Sequence, residues 1–178
     1  DKISSEGNYY FVDSEKEGRR KQPSPVVIVS KLSNLINSFQ ENRRKVAITL
    51  GATRAPIDSV RAIQNASSGK TGWAIAEYLF MMGHEVHCIA GKTSSNPSIE
   101  LPNIIRAGSP EEMLSQSLSL VKIDVKPDVW IHSAAVLDYS MVAEKGKRPS
   151  GQEKWEIELR PTLKHISELS DLVGDFIR

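Results

Sequence analysis

One cysteine, Cys88, among 178 residues excludes an intramolecular disulfide and a thiolate metal cluster together. It sits in the apolar run 86–90, which suits a buried, inert thiol. An excess of either charge is also missing. The 23 Lys and Arg against 22 Asp and Glu leave a formal net charge of +1, so bulk electrostatics favour neither nucleic acid nor a membrane surface as partner. Small anions stay open, because a few local cations suffice for them. No apolar run approaches the ~18 residues that span a bilayer, and no signal-peptide pattern opens the chain. The expectation is a cytoplasmic protein with no membrane partner. The chain starts at Asp1 rather than Met, which suggests sequence upstream. The four histidines make no metal set: His84 and His87 stand at a strand start and point to different faces. His132 either faces the ligand cleft or, as expected, is satisfied within the fold.

What is present is an ordinary globular composition, 39% hydrophobic and 25% charged, in a length that suits one domain. Residues 1–40 read as a polar arm or linker with a helix at about 26–39, where Val26, Val29, Leu32, Leu35, Ile36 and Phe39 fall at helical spacing. From Arg44 onward β and α patterns alternate. Val46 to Leu50 and Glu85 to Ala90 are short apolar runs suited to buried parallel strands. Asn103 to Arg106 and Asp128 to Ser133 add two more strands. Gly72 to Met82 is amphipathic and stopped by Gly83. Ser109, Pro110 and Glu112 supply an N-cap, a first-turn proline and an acid at N3 for a helix through Val121. Trp155 to Leu159 alternates in the β manner, and a last helix is predicted over about 163–176. The fold class that follows is α/β: a three-layer, mainly parallel, Rossmann-like sheet, with ligands expected at the carboxyl ends of its strands.

Three marked segments fall at that end. Gly51 to Asp58 leaves the first strand on a glycine and a small residue, permitting close backbone approach to a ligand, with Arg54 and Asp58 able to lock the loop. Ser67-Ser68-Gly69-Lys70-Thr71-Gly72 offers hydroxyls, backbone amides and a lysine at a helix start, the groups that bind phosphate. It is no Walker loop, since Gln64 stands at the first glycine. The G-x-G-x-x-G fingerprint is absent, and the second strand ends in Gly91-Lys92 rather than in a ribose-binding acid. Ser133-Ala134-Ala135 and Asp138 could accept a flat ligand, with the acid on hydroxyls, a base or Mg²⁺. The basic stretch 144–151 suits a mobile flap over phosphates or a plain solvated loop.

Together these segments resemble the phosphopantothenate–cysteine ligases of coenzyme A biosynthesis. The match spans about 45–166 and rests on four motifs in order: Thr49 to Asp58; Val60-Arg61 through Asn65, Ser67-Ser68-Gly69-Lys70 and Gly72; Ala134-Ala135-Val136 with Asp138-Tyr139; and Glu144-Lys145 with Lys147. The form looks like the bacterial, CTP-using one. The resemblance implies that residues 41–178 are a nucleotide-binding ligase domain. It implies a two-step reaction, in which 4′-phosphopantothenate is activated as an acyl-nucleotidylate with CTP and Mg²⁺ and L-cysteine then displaces the nucleotide. By position, Asn65 and Lys145 are the catalytic candidates, and Arg61 and Asn65 touch substrate. Gly51, Ser67, Ser68, Gly69, Lys70, Gly72, Ser133, Ala134, Ala135 and Asp138 hold the nucleotide, and no residue is assigned as a metal ligand.

The resemblance also implies a homodimer, and a fusion to a flavin-dependent decarboxylase in related chains. Leu137, Gly146 and Leu163 depart from the family pattern. The chain stops at Arg178, ahead of the strand and lysine-bearing region that complete the family's pocket, so an incomplete C-terminus is expected. Two other readings stand beside the ligase: a non-catalytic dimerising or nucleotide-binding fragment, and an NAD(P)-binding Rossmann domain.

Overall fold

The structure is a computed structural model that describes residues 12–13, 20–21, 23–122 and 126–173. Its elements in chain order are β1 (Val12–Asp13), β2 (Arg20–Lys21), α1 (Pro25–Asn37), β3 (Lys45–Leu50), β4 (Arg54–Pro56), β5 (Ala62–Gln64) and α2 (Lys70–Met81). They continue with β6 (Glu85–Ala90), β7 (Asn103–Arg106), α3 (Pro110–Lys122), β8 (Val129–His132), β9 (Tyr139–Ser140), β10 (Arg160–Pro161) and α4 (His165–Val173).

Four strands make the central sheet in the order β7-β6-β3-β8, and every pairing in it is parallel. Parallel pairing needs long crossovers; α2 carries the chain from β3 to β6 and α3 from β7 to β8. Because both faces are covered, β3 is buried from Val46 to Leu50. Its side chains divide by the two-residue period. Ile48 and Leu50 enter a core with Trp73, Ala76 and Phe80 of α2, and Ala47 meets Met113 and Leu120 of α3 on the other side. This is the three-layer, Rossmann-like sheet expected, reversing direction of winding at β3.

The caps form as their residue types dictate. Ser109 Oγ accepts the Glu112 N–H at 3.1 Å, and the Glu112 carboxylate returns to the N–H groups of Ser109 and Gly108 at 3.2 and 2.7 Å. Gly83, at φ +87°, ends α2 against Asn37 of α1. There Asn34 and Asn37 donate to the Phe80 and Met81 carbonyls at 2.7 and 2.8 Å, bracing the last turn of α2 from α1.

Three local expectations change. Trp155 to Leu159 is not a strand: its alternation reflects one-sided burial of Trp155 and Ile157, and only β10, just beyond it, pairs, antiparallel with β9. The loop expected from Gly51 to Asp58 is not plain, because β4 lies within it and pairs with β5 in a short antiparallel hairpin. The last helix begins at His165, two residues later than predicted, and its expected end near Phe176 lies outside the described residues.

Candidate functional site

Three chain crossings converge at the carboxyl ends of β3, β6 and β8. Ala52 bridges Lys92 on one side and Ala135 on the other, so the segment after β3 continues the sheet as a narrow strip of backbone. The Ala135 N–H donates to the Gly51 carbonyl at 2.8 Å, and its carbonyl accepts the Thr53 N–H at 3.1 Å. Ser133 prolongs the β3–β8 ladder through its N–H to the Thr49 carbonyl at 2.9 Å. Fully buried Thr53 accepts the Leu137 N–H on Oγ1 at 2.8 Å, tying down the start of the Asp138 loop. Small residues at 51, 52, 134 and 135 are what this spacing requires. A Cβ on Gly51 would lie 2.7 Å from the Lys92 carbonyl oxygen, and its φ of +80° is already left-handed.

The phosphate-type turn stands against this strip. Asn65 Nδ2 donates to the Ala135 carbonyl at 3.1 Å, and the Ser67 N–H closes a tight turn onto the Asn65 carbonyl at 3.1 Å. Helix α2 then starts on Gly69, left-handed at φ +78°, with no side-chain cap. Ser68 Oγ accepts the Lys70 N–H at 3.3 Å; the N–H groups of Thr71 and Gly72 have no protein partner among the described residues. Gly72 allows α2 to lie on β3, since a Cβ there would sit 2.4 Å from Leu50 Cβ. Lys70 is exposed.

The loop after β6 completes the turn, a contribution the sequence reading missed. Ser95 Oγ donates to the Ser68 carbonyl at 2.7 Å, and the Ser95 carbonyl accepts the Trp73 indole N–H at 3.1 Å. Thr93 Cγ2 lies 2.5 Å from where a Gly69 Cβ would be. The only sequence signal was the Ser- and Asn-rich composition of that loop.

Arg61 and Lys145 belong to a second cluster. The Asp58 side chain is fully buried. Its Oδ1 accepts the Val60 and Arg61 N–H groups at 2.8 and 2.7 Å, and its Oδ2 accepts the Arg148 N–H at 3.2 Å. The Val60 bond, with those of Arg61 and Arg148 and the Arg61 guanidinium, holds the carboxyl below its ordinary range despite burial. Arg61, rather than Arg54, is therefore the partner that locks this loop. Its guanidinium donates to the Arg148 carbonyl at 2.8 Å and lies over the Trp155 ring at 4.7 Å; the Arg148 guanidinium lies over the same ring at 5.1 Å. The stretch 144–148 is docked: the Glu144 N–H reaches the Ile57 carbonyl at 2.8 Å, and the Gly146 carbonyl accepts the Ser59 N–H at 3.0 Å. Lys145 is exposed between these two bonds.

Asp138 is exposed and paired with Lys164. Thr162 braces that loop through its N–H to the Asp138 carbonyl at 2.9 Å and its Oγ1 to the Leu137 carbonyl at 2.6 Å. His132 stacks on Trp130 at 6.1 Å. A groove of about 590 Å³ opens at this end of the sheet beside Arg54, Lys92 and Ser109. One of about 610 Å³, between α3 and β10, holds none of the predicted site residues.

Residues 41–175 match the model of the DNA/pantothenate metabolism flavoprotein C-terminal domain. The chain belongs to that family. The fold described above is thus that of a phosphopantothenoylcysteine synthetase-like domain. The chain is 34% identical over 172 residues to the coenzyme A biosynthesis bifunctional protein CoaBC of Thermococcus kodakarensis, covering 97% of this chain and 42% of that protein. It therefore spans less than half of that relative's length. The crystal structure of the C-terminal domain of a coenzyme A biosynthesis bifunctional protein CoaBC matches with a TM-score of 0.59 and 32% identity, over 78% of this chain and 62% of that one. The DNA/pantothenate metabolism flavoprotein from Streptococcus pneumoniae matches with a TM-score of 0.60 and 28% identity, over 72% and 65% of the two chains. Among the described residues, no helix of this family member is long and apolar enough to cross a membrane.

Proposed function

We propose that this domain joins 4′-phosphopantothenate to L-cysteine through an acyl-nucleotidylate, with CTP as the activating nucleotide and Mg²⁺ carried on its phosphates. The observation that carries the reading is the uncapped start of α2, where Gly69 replaces a capping side chain and the Thr71 and Gly72 N–H groups have no protein partner. A helix N-terminus of that kind takes an anion. Mg²⁺ would arrive bound to the phosphate oxygens of the nucleotide, as hard cations do at such sites.

In the first step a carboxylate oxygen of phosphopantothenate attacks the α-phosphorus, the bond to the β-phosphate breaks, and pyrophosphate leaves. In the second, the cysteine amine attacks the acyl carbon, the acyl C–O bond breaks, the nucleoside monophosphate leaves, and the amine proton passes to solvent. The α2 N-terminus and Lys70 offset phosphate charge in the first step. Asn65 spends one N–H of Nδ2 on Ala135 and keeps the other for the acyl oxygen in the second. Ser133, Ala134 and Ala135 leave room for a flat base against backbone, Gly51 for close approach, and Asp138 for ribose hydroxyls. Ser67 and Ser68 line the phosphates, and Lys145 adds a cation. Residues 41–178 would form this unit and 1–40 an arm. The working form would be a cytoplasmic homodimer, and the bifunctional relative supports a natural fusion to a second, decarboxylating activity.

The test is pyrophosphate release by this chain with Mg²⁺, 4′-phosphopantothenate and CTP, with ATP in parallel, followed by nucleoside monophosphate release on adding cysteine. CTP-dependent release in that order is expected. Absence of nucleotide binding overturns the reading, and sizing of the same sample checks the dimer.

A further inference from the structure

We infer that Asp58 is a positioning residue that fastens the Lys145 segment onto residues 57–61; the inference rests on the proposed role of Lys145 at the nucleotide.

Asp58 is a fully buried carboxylate whose two oxygens do different jobs. Oδ1 closes its own turn by taking the Val60 and Arg61 N–H groups. Oδ2 reaches across the chain to the Arg148 N–H. Around this bond the segment is fastened at 144, 146 and 148 onto residues 57–61. Two guanidiniums share the Trp155 ring, an arrangement that like charges oppose unless an anion is at hand. Asp58 is that anion for Arg61 at 3.6 Å, and Glu144 pairs Arg148 at 3.2 Å. The segment is built into the fold through these contacts, which set where the exposed Lys145 stands.

The chemistry of one substitution isolates this role. In Asp58→Asn the side chain keeps one oxygen and gains an NH₂. The turn demands the oxygen for two N–H groups, which leaves the NH₂ facing the Arg148 N–H, donor against donor. The turn survives and the flap is released.

Trypsin reads the release directly, because it cleaves after exposed Lys145, and cleavage of an open state tracks its population. Asp58→Asn should raise the rate at Lys145 about tenfold or more, while the rate at Lys70, the first residue of α2, stays unchanged. Equal acceleration at both bonds, or none at Lys145, overturns the inference. In the pyrophosphate assay Asp58→Asn and Lys145→Gln should each raise the nucleotide KM roughly tenfold, with kcat changed less, and the double variant should be no worse than either single one. Additive effects, or an unchanged KM in a flap-released variant, overturn the link to Lys145. Selective release at Lys145 in a chain whose wild type binds no nucleotide leaves the docking in place and removes the ligase reading.

Discussion

Asn65 Nδ2 and the carbonyl oxygen of Ala135 lie 3.1 Å apart, joining residues 70 positions distant in the chain. The bond fixes the tilt of a half-buried amide on the segment that leads into α2, at the point where the β3 and β8 extensions run side by side. A side chain so held presents its remaining N–H in one direction without paying for ordering during the reaction.

Replacing Asn65 by Asp removes that donor and sets a carboxylate against the Ala135 carbonyl. Pyrophosphate release should persist, while nucleoside monophosphate release on adding cysteine slows about 10²- to 10³-fold, the usual effect of losing one such donor. Rapid-quench single turnovers that separate the two products check this; equal slowing of both steps would remove Asn65 from the second step.

Gly69→Ala should destabilise the fold by about 1–3 kcal/mol, because an L side chain is strained at φ +78° and its Cβ would meet Thr93 Cγ2 at 2.5 Å. Thr93→Ser removes that methyl and should recover the steric part but not the backbone part. A urea-unfolding double-mutant cycle measures both.

His165 is buried, and desolvation lowers its pKa from the ordinary 6.5 in spite of the Pro110 carbonyl and Glu111. His132, exposed but partly desolvated by its neighbours, is lowered as well, by that desolvation and then by His165. Because both are lowered in the fold, the unfolded chain binds protons first as pH falls. Stability is full above about 6.5 and is lost as pH drops from there toward the folded pKa values. Urea midpoints at pH 7.5 and 5.5 should therefore fall, and by less in His165→Gln. Asp58 and Glu85, whose pKa values are lowered from 3.8 and 4.5, add their loss only at more acid pH.

Burial pushes the Cys88 thiol up to about 12. At pH 8 a disulfide reagent should label it only as fast as the chain unfolds. Rapid labelling of the native protein would mean that the β3–β6 core opens locally.

Much of the frame was legible without coordinates. The apolar runs at 46–50 and 85–90 are local signals, and so are the capping box at Ser109 and Glu112 and the stop at Gly83. Each depends on residues within a few positions of one another, so the alternation of strand and helix, and with it the place of the turn at 67–72, is readable from the chain. The family motifs likewise lie on contiguous stretches.

The sequence by itself thus determined a parallel α/β sheet with a Ser- and Gly-rich turn at its carboxyl end. Tertiary structure alone decided the partners. Asp58 takes Arg61 and the Arg148 N–H instead of Arg54, Ser95 closes the turn from the β6 loop, and Trp155 leaves the strand its alternation suggested to lie under two guanidiniums. Hydrophobic periodicity records which face is buried but not what covers it. A hydrogen bond across 90 residues, such as that from Arg148 to Asp58, exists only after the sheet has brought its ends together.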